Sequence, residues 1–431
     1  MSDISGGVVM DTIKRLVLAA AAFFILTSGR CLALTVDDSI SLATDNLPSF
    51  KASKTKVKST DALYKASLSP YLPSLDTTTV QERHQTAPED FDLGTYDVTL
   101  SYILFDGGRR RANRNIAGLN LDIDKEEVSK NLLQLRFDVT AAFYTVMARN
   151  EIVEHRKTQQ QDSQKDYEIA QGRYKNGVAK LSDVLQASVR LEQARFNLIQ
   201  GEGDLKNGLS DFNSLVGRPL DTPYDLEGSL NLEPRMPELN KLTRSAAERP
   251  EIKQAENTVR ISKNNKSLEM SAFFPTVTAN ASYNRSDGPF TSVGVGSPED
   301  KSIGITATWN LFQLDKLYRT KSAGITVNVS EEQLDETVRQ LLLALQKAYE
   351  DYLTASKNIA VAQEQLKQAE HNYAQAVGEY RVGKGDILAL VQAESSLATA
   401  REQLTTSKLN LIVAKALVER TAGVERLESL L

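Results

Sequence analysis

Tyr174-Lys-Asn-Gly-Val-Ala-Lys-Leu-Ser-Asp-Val-Leu-Gln-Ala187 returns as Tyr380-Arg-Val-Gly-Lys-Gly-Asp-Ile-Leu-Ala-Leu-Val-Gln-Ala393, 206 residues further along a chain of 431. The same offset joins Ala142 to Ala348, Tyr167 to Tyr373, Leu191 to Leu397, Ala194 to Ala400, Arg195 to Arg401 and Gly217 to Gly423. Upstream the register slips: Pro73 meets Pro275 at an offset of 202, and Phe105 meets Phe312 at 207. Slips confined to a turn-rich stretch mean two copies of one structural unit that differ in a loop. A unit of about 200 residues is too long for a solenoid repeat. It points to a protomer with internal pseudo-symmetry, and so to a ring or tube. The expected division is a leader over 1–33, a first repeat over 34–217, a linker over 218–244, a second repeat over 245–423 and a tail over 424–431.

The leader has the parts of a signal peptide. Lys14 and Arg15 precede an apolar run of 11 residues, Leu16 to Leu26; a spanning helix needs about 20. Cys31 and Ala33 are small residues suited to cleavage before Leu34. Arg30 disfavours lipidation at Cys31, and Met10 is an alternative start. Cys31 is the only cysteine, so a chain cleaved there has no disulfide, thiolate metal site or cysteine nucleophile. The three histidines, His84, His155 and His371, share no metal-ligand spacing. A net charge of −5 gives no reason to expect nucleic acid. No later apolar run is long enough to span a bilayer as a helix, so any membrane crossing is by strands.

Thr95 to Phe105 alternates with period two. Tyr96, Val98, Leu100, Tyr102 and Leu104 fall on one face, and Thr95, Asp97, Thr99 and Ser101 on the other. The second repeat matches it with Ile303, Ile305, Ala307, Trp309 and Leu311 against Ser302, Gly304, Thr306, Thr308 and Asn310. Upstream partners lie at about 74–83 and 276–284, across polar loops at 84–94 and 285–301. Each repeat thus holds one long-looped hairpin, and the chain four strands. A small soluble sheet explains the alternation equally well. Lipid is favoured by Tyr71, Tyr96, Tyr102, Phe274, Tyr283 and Trp309, which gather near strand ends as an interfacial girdle does. Four strands cannot close a barrel, and strand edges cannot stay unpaired in a bilayer. Two, three or four chains would supply eight, twelve or sixteen strands.

After each hairpin the period becomes helical. Val338, Leu341, Leu345, Ala348, Tyr352, Ala355, Ile359, Ala362, Leu366, Ala369, Tyr373, Ala376 and Tyr380 follow one another in steps of three and four, a heptad seam. The return helix continues it through Leu390, Ala393, Leu397, Ala400, Leu404, Ser407 and Leu411, and repeat one has the same seam from Val184 to Phe212. Alternation of large residues with alanine lets helices approach closely. The outgoing helix, from about 111 to 174, is about 95–100 Å long at 1.5 Å per residue. The return helix and the segment before the hairpin, 36–68, are about half that. The polar run Arg156–Asp166 reads as a solvated face. Pro219, Pro223, Pro234 and Pro237 mark the linker, a small collar. A narrow seam with water on both flanks suits the wall of a water-filled tube. A coiled-coil surface stalk or adhesin reads similarly, and only the strands separate the two.

These pieces together resemble the outer membrane efflux protein family, the TolC-like channels, over 34–423. The resemblance rests on Asn46-Leu-Pro48 and Glu248-Arg-Pro250 opening the repeats and Tyr71-Leu-Pro73 and Phe273-Phe-Pro275 entering the hairpins. Leu104-Phe-Asp-Gly-Gly-Arg-Arg-Arg-Ala112 and Trp309-Asn-Leu-Phe312 leave the hairpins, and the two Tyr-x-x-Gly tips complete the set. It implies an α+β membrane protein: a homotrimer sharing a twelve-stranded barrel in the outer membrane of a Gram-negative bacterium, above a long periplasmic α-helical barrel. It implies efflux or type I secretion, with a periplasmic adaptor, an inner-membrane transporter and outer-membrane lipid as partners. No enzyme motif, cofactor or metal goes with it. The adaptor is expected to dock at Asn176, Gly177, Val178, Val382, Gly383 and Lys384. Tyr380, bonded to Asp183 beside Ser182, and Asp386 are expected to form the constriction. The arginine usual in that lock falls on Gly385, and the usual acidic ring on Ala389 and Gln392.

Overall fold

The computed structural model describes residues 33–85, 90–287 and 299–430. The signal-peptide reading, and the outer ends of both hairpin loops, lie outside them. The described elements are β1 (Ala33–Leu34), α1 (Val36–Asn46), α2 (Pro48–Ala66), β2 (Ser74–His84), β3 (Phe91–Phe105), α3 (Arg109–Lys175), α4 (Leu181–Val216), β4 (Asp225–Leu226), α5 (Leu239–Ala246), α6 (Pro250–Ser271), β5 (Thr276–Asp287), β6 (Glu299–Thr308), α7 (Leu314–Arg381) and α8 (Ile387–Ala422). The helix expected over 36–68 is two, because Pro48 has no N–H to continue the first and starts the second. The chain forms two compact units that ignore the repeat boundary. Among the described residues, one gathers those of 33–47, 135–235 and 351–417, and the other those of 48–134, 236–350 and 418–430.

The second unit carries a sheet of order β2-β3-β5-β6, antiparallel throughout. Register places Leu75, Leu100, Ala281 and Ile303 in one cross-strand row, and Tyr102, Ala279 and Ile305 in another. This apolar face is the exposed one: Ile303 is 92% exposed, and Tyr96, Val98, Leu100 and Tyr102 are all exposed, while Thr95, Asp97 and Thr99 opposite are half-buried. A bulge between Ile103 and Phe105 shifts the register, so Phe105, not Leu104, takes the row of Val277 and Ala307. β6 ends at Thr308, so Trp309 and Leu311 lie beyond the strand expected to hold them. From the Phe105 row to the Tyr96 row is about nine steps, roughly 30 Å along the strand, or about 23 Å at a 40° tilt. That is close to the apolar band of a membrane barrel; Arg285 and Glu299 share the Tyr96 row at its rim, while Asp300 and Lys301 lie one and two rows inside it.

Gly107, at φ 66°, joins the sheet to α3. A Cβ there would stand 2.7 Å from the Ser271 carbonyl, so only glycine admits the approach. Arg110 binds Asp106, the carbonyls of Ile103 (2.8 Å) and Pro70 (3.2 Å), and lies over Tyr71. The central member of the triple arginine therefore braces the joint between the sheet and α3. Trp309 donates its indole N–H to the Phe273 carbonyl (3.0 Å), and Phe274 meets Phe105 edge-on. Tyr71, Phe274 and Trp309 thus collect at the helical end of the sheet, with Tyr96 and Tyr283 toward the other.

In the first unit the seam is as expected. Ala355, Ala362, Ala369, Leu390, Ala393, Leu397 and Ala400 are buried, as are Val184, Ala187, Leu191, Ala194 and Phe212. The linker pairs β4 with β1 in parallel and packs Leu230 on Ala148 and Ile412. α4 also has a second apolar stripe, Leu181, Leu185, Val189, Phe196 and Ile199, which is exposed. Its expected wet flank is therefore an unpartnered surface.

Candidate functional site at the helical tips

Both hairpin tips lie in the first unit and close in the same way. At the end of α3, Gly177 takes φ 72°, and the amides of Gly177 and Val178 return to the carbonyls of Tyr174 (2.9 Å) and Arg173 (3.0 Å). At the end of α7, Gly383 takes φ 79°, and the amides of Gly383 and Lys384 return to Tyr380 (3.2 Å) and Glu379 (3.0 Å). This left-handed closure satisfies the last helical carbonyls, and glycine adopts it without strain. The docking set Asn176, Gly177, Val178, Val382, Gly383 and Lys384 is exposed at these tips.

The constriction set is arranged differently from the expected lock. Tyr380 is 1% exposed, packed among Ala170, Val184, Ala187, Ile387 and Leu390, which come from both hairpins. Its phenol oxygen is buried without a hydrogen-bond partner. Burial, with the nearby Asp183 carboxylate, pushes its pKa up. Asp183 instead accepts from Ser182 Oγ (3.3 Å), and Asp386 accepts the Leu388 amide (3.2 Å) as the cap of α8. The bond from Tyr380 to Asp183 does not form within the protomer. Arg173 occupies the site: its guanidinium lies 4.4 Å from the Tyr380 ring centre and donates to the carbonyls of Tyr380 and Val178.

Above the tip the run Arg156–Asp166 is solvated on one side only, with Lys157, Gln161 and Lys165 exposed. Gln159 (5% exposed), Ser163 and Asp166 (8%) are buried, and with Ala170 they continue the seam at steps of four, three and four. Ser163 donates to Glu394 (2.9 Å), which is 4% exposed and held by Arg190. Tyr373 donates to Asp166 (3.2 Å). Arg156 pairs with Glu402 (2.9 Å) and lies over Gly201, where a Cβ would be 3.1 Å from it. Composition hid this layer, because a polar group can be buried when it finds a hydrogen-bond partner, and composition does not name the partner. The spacing of Gln159, Ser163, Asp166 and Ala170 was the available signal.

Burial, then the Glu394 carboxylate, pushes Asp166 up to about 6. Burial and the Asp166 carboxylate also push Tyr373 up. Among the described residues no group of acids, histidines or cysteines is arranged to hold a metal, and no helix is long and apolar enough to cross a membrane.

An open amphipathic sheet with its apolar face outward, continued by paired helices of 67 and 68 residues, defines the protomer of a membrane channel built from several chains. The profile described as "Outer membrane efflux protein" matches residues 39–218 and 242–424. The chain belongs to this family and is an outer-membrane channel of an efflux or secretion system. It is 26% identical to protein CyaE of Bordetella pertussis over 398 residues, 88% of this chain and 84% of that one. It is 24% identical to the alkaline protease secretion protein AprF of Pseudomonas aeruginosa, covering 94% and 87%. In fold it is similar to the outer membrane protein VceC of Vibrio cholerae (TM-score 0.78, 17% identity, covering 90% and 96%). The Campylobacter jejuni CmeC outer membrane channel has the same TM-score at 16% identity, covering 90% and 85%.

Proposed function

We propose that three copies share one twelve-stranded barrel and that the tips receive a periplasmic adaptor carrying cargo from an inner-membrane transporter. The observation that carries this reading is the sheet. β2 and β6 are open edges flanking an apolar outward face, and in lipid an open edge has no water to satisfy it. The exposed Phe196 and Ile199 of α4 support the same closure, since a neighbouring copy would cover them. A shallow apolar groove lined by Leu185, Val189, Leu388 and Val391 opens beside the tips and fits an adaptor's helical hairpin. The strands would sit in the outer membrane of a Gram-negative cell, with the helical hairpins in the periplasm. The name of the AprF relative supports protein secretion as the transport task.

Native mass measurement of detergent-extracted protein should give a trimer, and a monomer stable in lipid would overturn the shared barrel. Gly383→Trp should leave trimers in the outer membrane but abolish export. Export that persists would place docking elsewhere.

A further inference from the structure

The tip of this protomer is held by a group that the expected lock does not contain. Tyr380 presents a ring, a main-chain carbonyl and a hydroxyl. Arg173, which comes from the other hairpin, lies over the ring and shares the carbonyl with the Gly383 amide, while the hydroxyl has no partner. Its guanidinium stands where α3 and α7 both end, against the carbonyls of Val178 and Tyr380. Helix C-termini carry partial negative charge, so one cation there serves two helices. The same group lies beside Gly383, where a Cβ would be 3.5 Å from Nη2. Gly385, the position on which the family's usual arginine falls, has no room for a side chain: a Cβ would be 2.9 Å from the Tyr380 nitrogen. The arginine therefore acts from the opposite hairpin. The other charged groups facing Tyr380 are the acids Asp183, Asp386 and Asp166, and none bonds its hydroxyl.

We propose that Arg173 is the positioning residue that ties the two hairpin tips of one protomer together and keeps the channel mouth narrow, through the ring face and carbonyl of Tyr380. The inference rests on reading the tips as the channel's mouth. A lock made by the phenol predicts the opposite ranking of variants. A planar, bidentate guanidinium is also poorly replaced by an ammonium.

The test is single-channel conductance of the purified full chain in planar lipid bilayers, with helix content and trimer mass measured on each variant. Arg173→Ala should raise conductance several-fold, and guanidinium in the buffer should bring it back toward wild type. Arg173→Lys should fall between the two, and it carries the test if Arg173→Ala does not assemble. Tyr380→Phe, which removes only the unpartnered hydroxyl, should raise conductance far less. Wild-type pores unaltered by Arg173→Ala or Arg173→Lys overturn the inference, as does Tyr380→Phe opening the mouth as widely as Arg173→Ala. A wild-type chain that forms no pore at all overturns the channel reading itself, and the inference with it.

Discussion

At the residue scale, Asp166 shows how a seam position differs from its neighbours. Around it stand Asp162 on its own helix, Tyr373 and Arg381 on α7, and Glu394 on α8, itself tied to Arg190 of α4. Burial outweighs the hydrogen bond from Tyr373, so its carboxyl titrates at about 6, above the ordinary value near 4. A raised folded-state pKa means that the folded chain holds the proton more tightly. The stabilisation is full below about pH 4 and is lost as pH rises through about 6. Thermal unfolding of wild type and Asp166→Asn should therefore differ most at pH 7, with wild type the less stable, and the gap should close toward pH 4. A gap independent of pH would place the proton elsewhere. Glu394, bonded to Ser163 one turn from Asp166, is a different case. Ser163 and Arg190 hold it inside the seam, so it cannot act as an acid of the mouth.

At the scale of elements, the alanines of α7 set the spacing of the helices. Ala362 is buried, whereas Gln161 on α3 is exposed. Ala362→Leu should overpack the seam at about 1–3 kcal/mol. Assembly, followed as trimer yield, should fall for Ala362→Leu and hold for Gln161→Leu, and equal tolerance would refute the seam. Much of this scale was legible beforehand: strand alternation, heptad steps and glycines at reversals are local features, and the observed elements follow them closely. The polar layer was not, since Gln159 and Gln161 look alike in sequence and only their helical phase relative to α8 distinguishes them. The bulge at Leu104 was equally hidden, because a one-residue slip appears only when a partner strand sets the register.

For the whole molecule, the charge at the mouth follows from what the tips expose. Ala389 and Gln392 are exposed on α8 and carry no charge, while Arg173, Lys175, Lys180, Arg381 and Lys384 gather around Asp183, Glu379 and Asp386. A ring of acids in a narrow mouth draws cations, and three copies of this tip, in the proposed trimer, would offer a weaker one. Reversal potentials across a salt gradient should show low cation selectivity, changed little by Asp386→Asn. Strong cation selectivity abolished by that substitution would mean that Asp386 faces the lumen.

What the chain determined locally is its repeat, its four strands, its long helices and its family, because each rests on periodicity or on residues whose backbone chemistry is fixed. Gly177 and Gly383 admit the left-handed backbone that reverses the chain, and Pro48, with no N–H, cannot continue the helix before it. The tertiary structure alone decided which polar residues are buried and who their partners are. Arg173 reaches Tyr380 across 207 positions, and Arg190 reaches Glu394 across 204. Such pairings depend on the phase and offset of two packed helices, quantities that no single segment encodes. The expected bond from Tyr380 to Asp183 required a side-chain direction, and packing turned the phenol into the core instead.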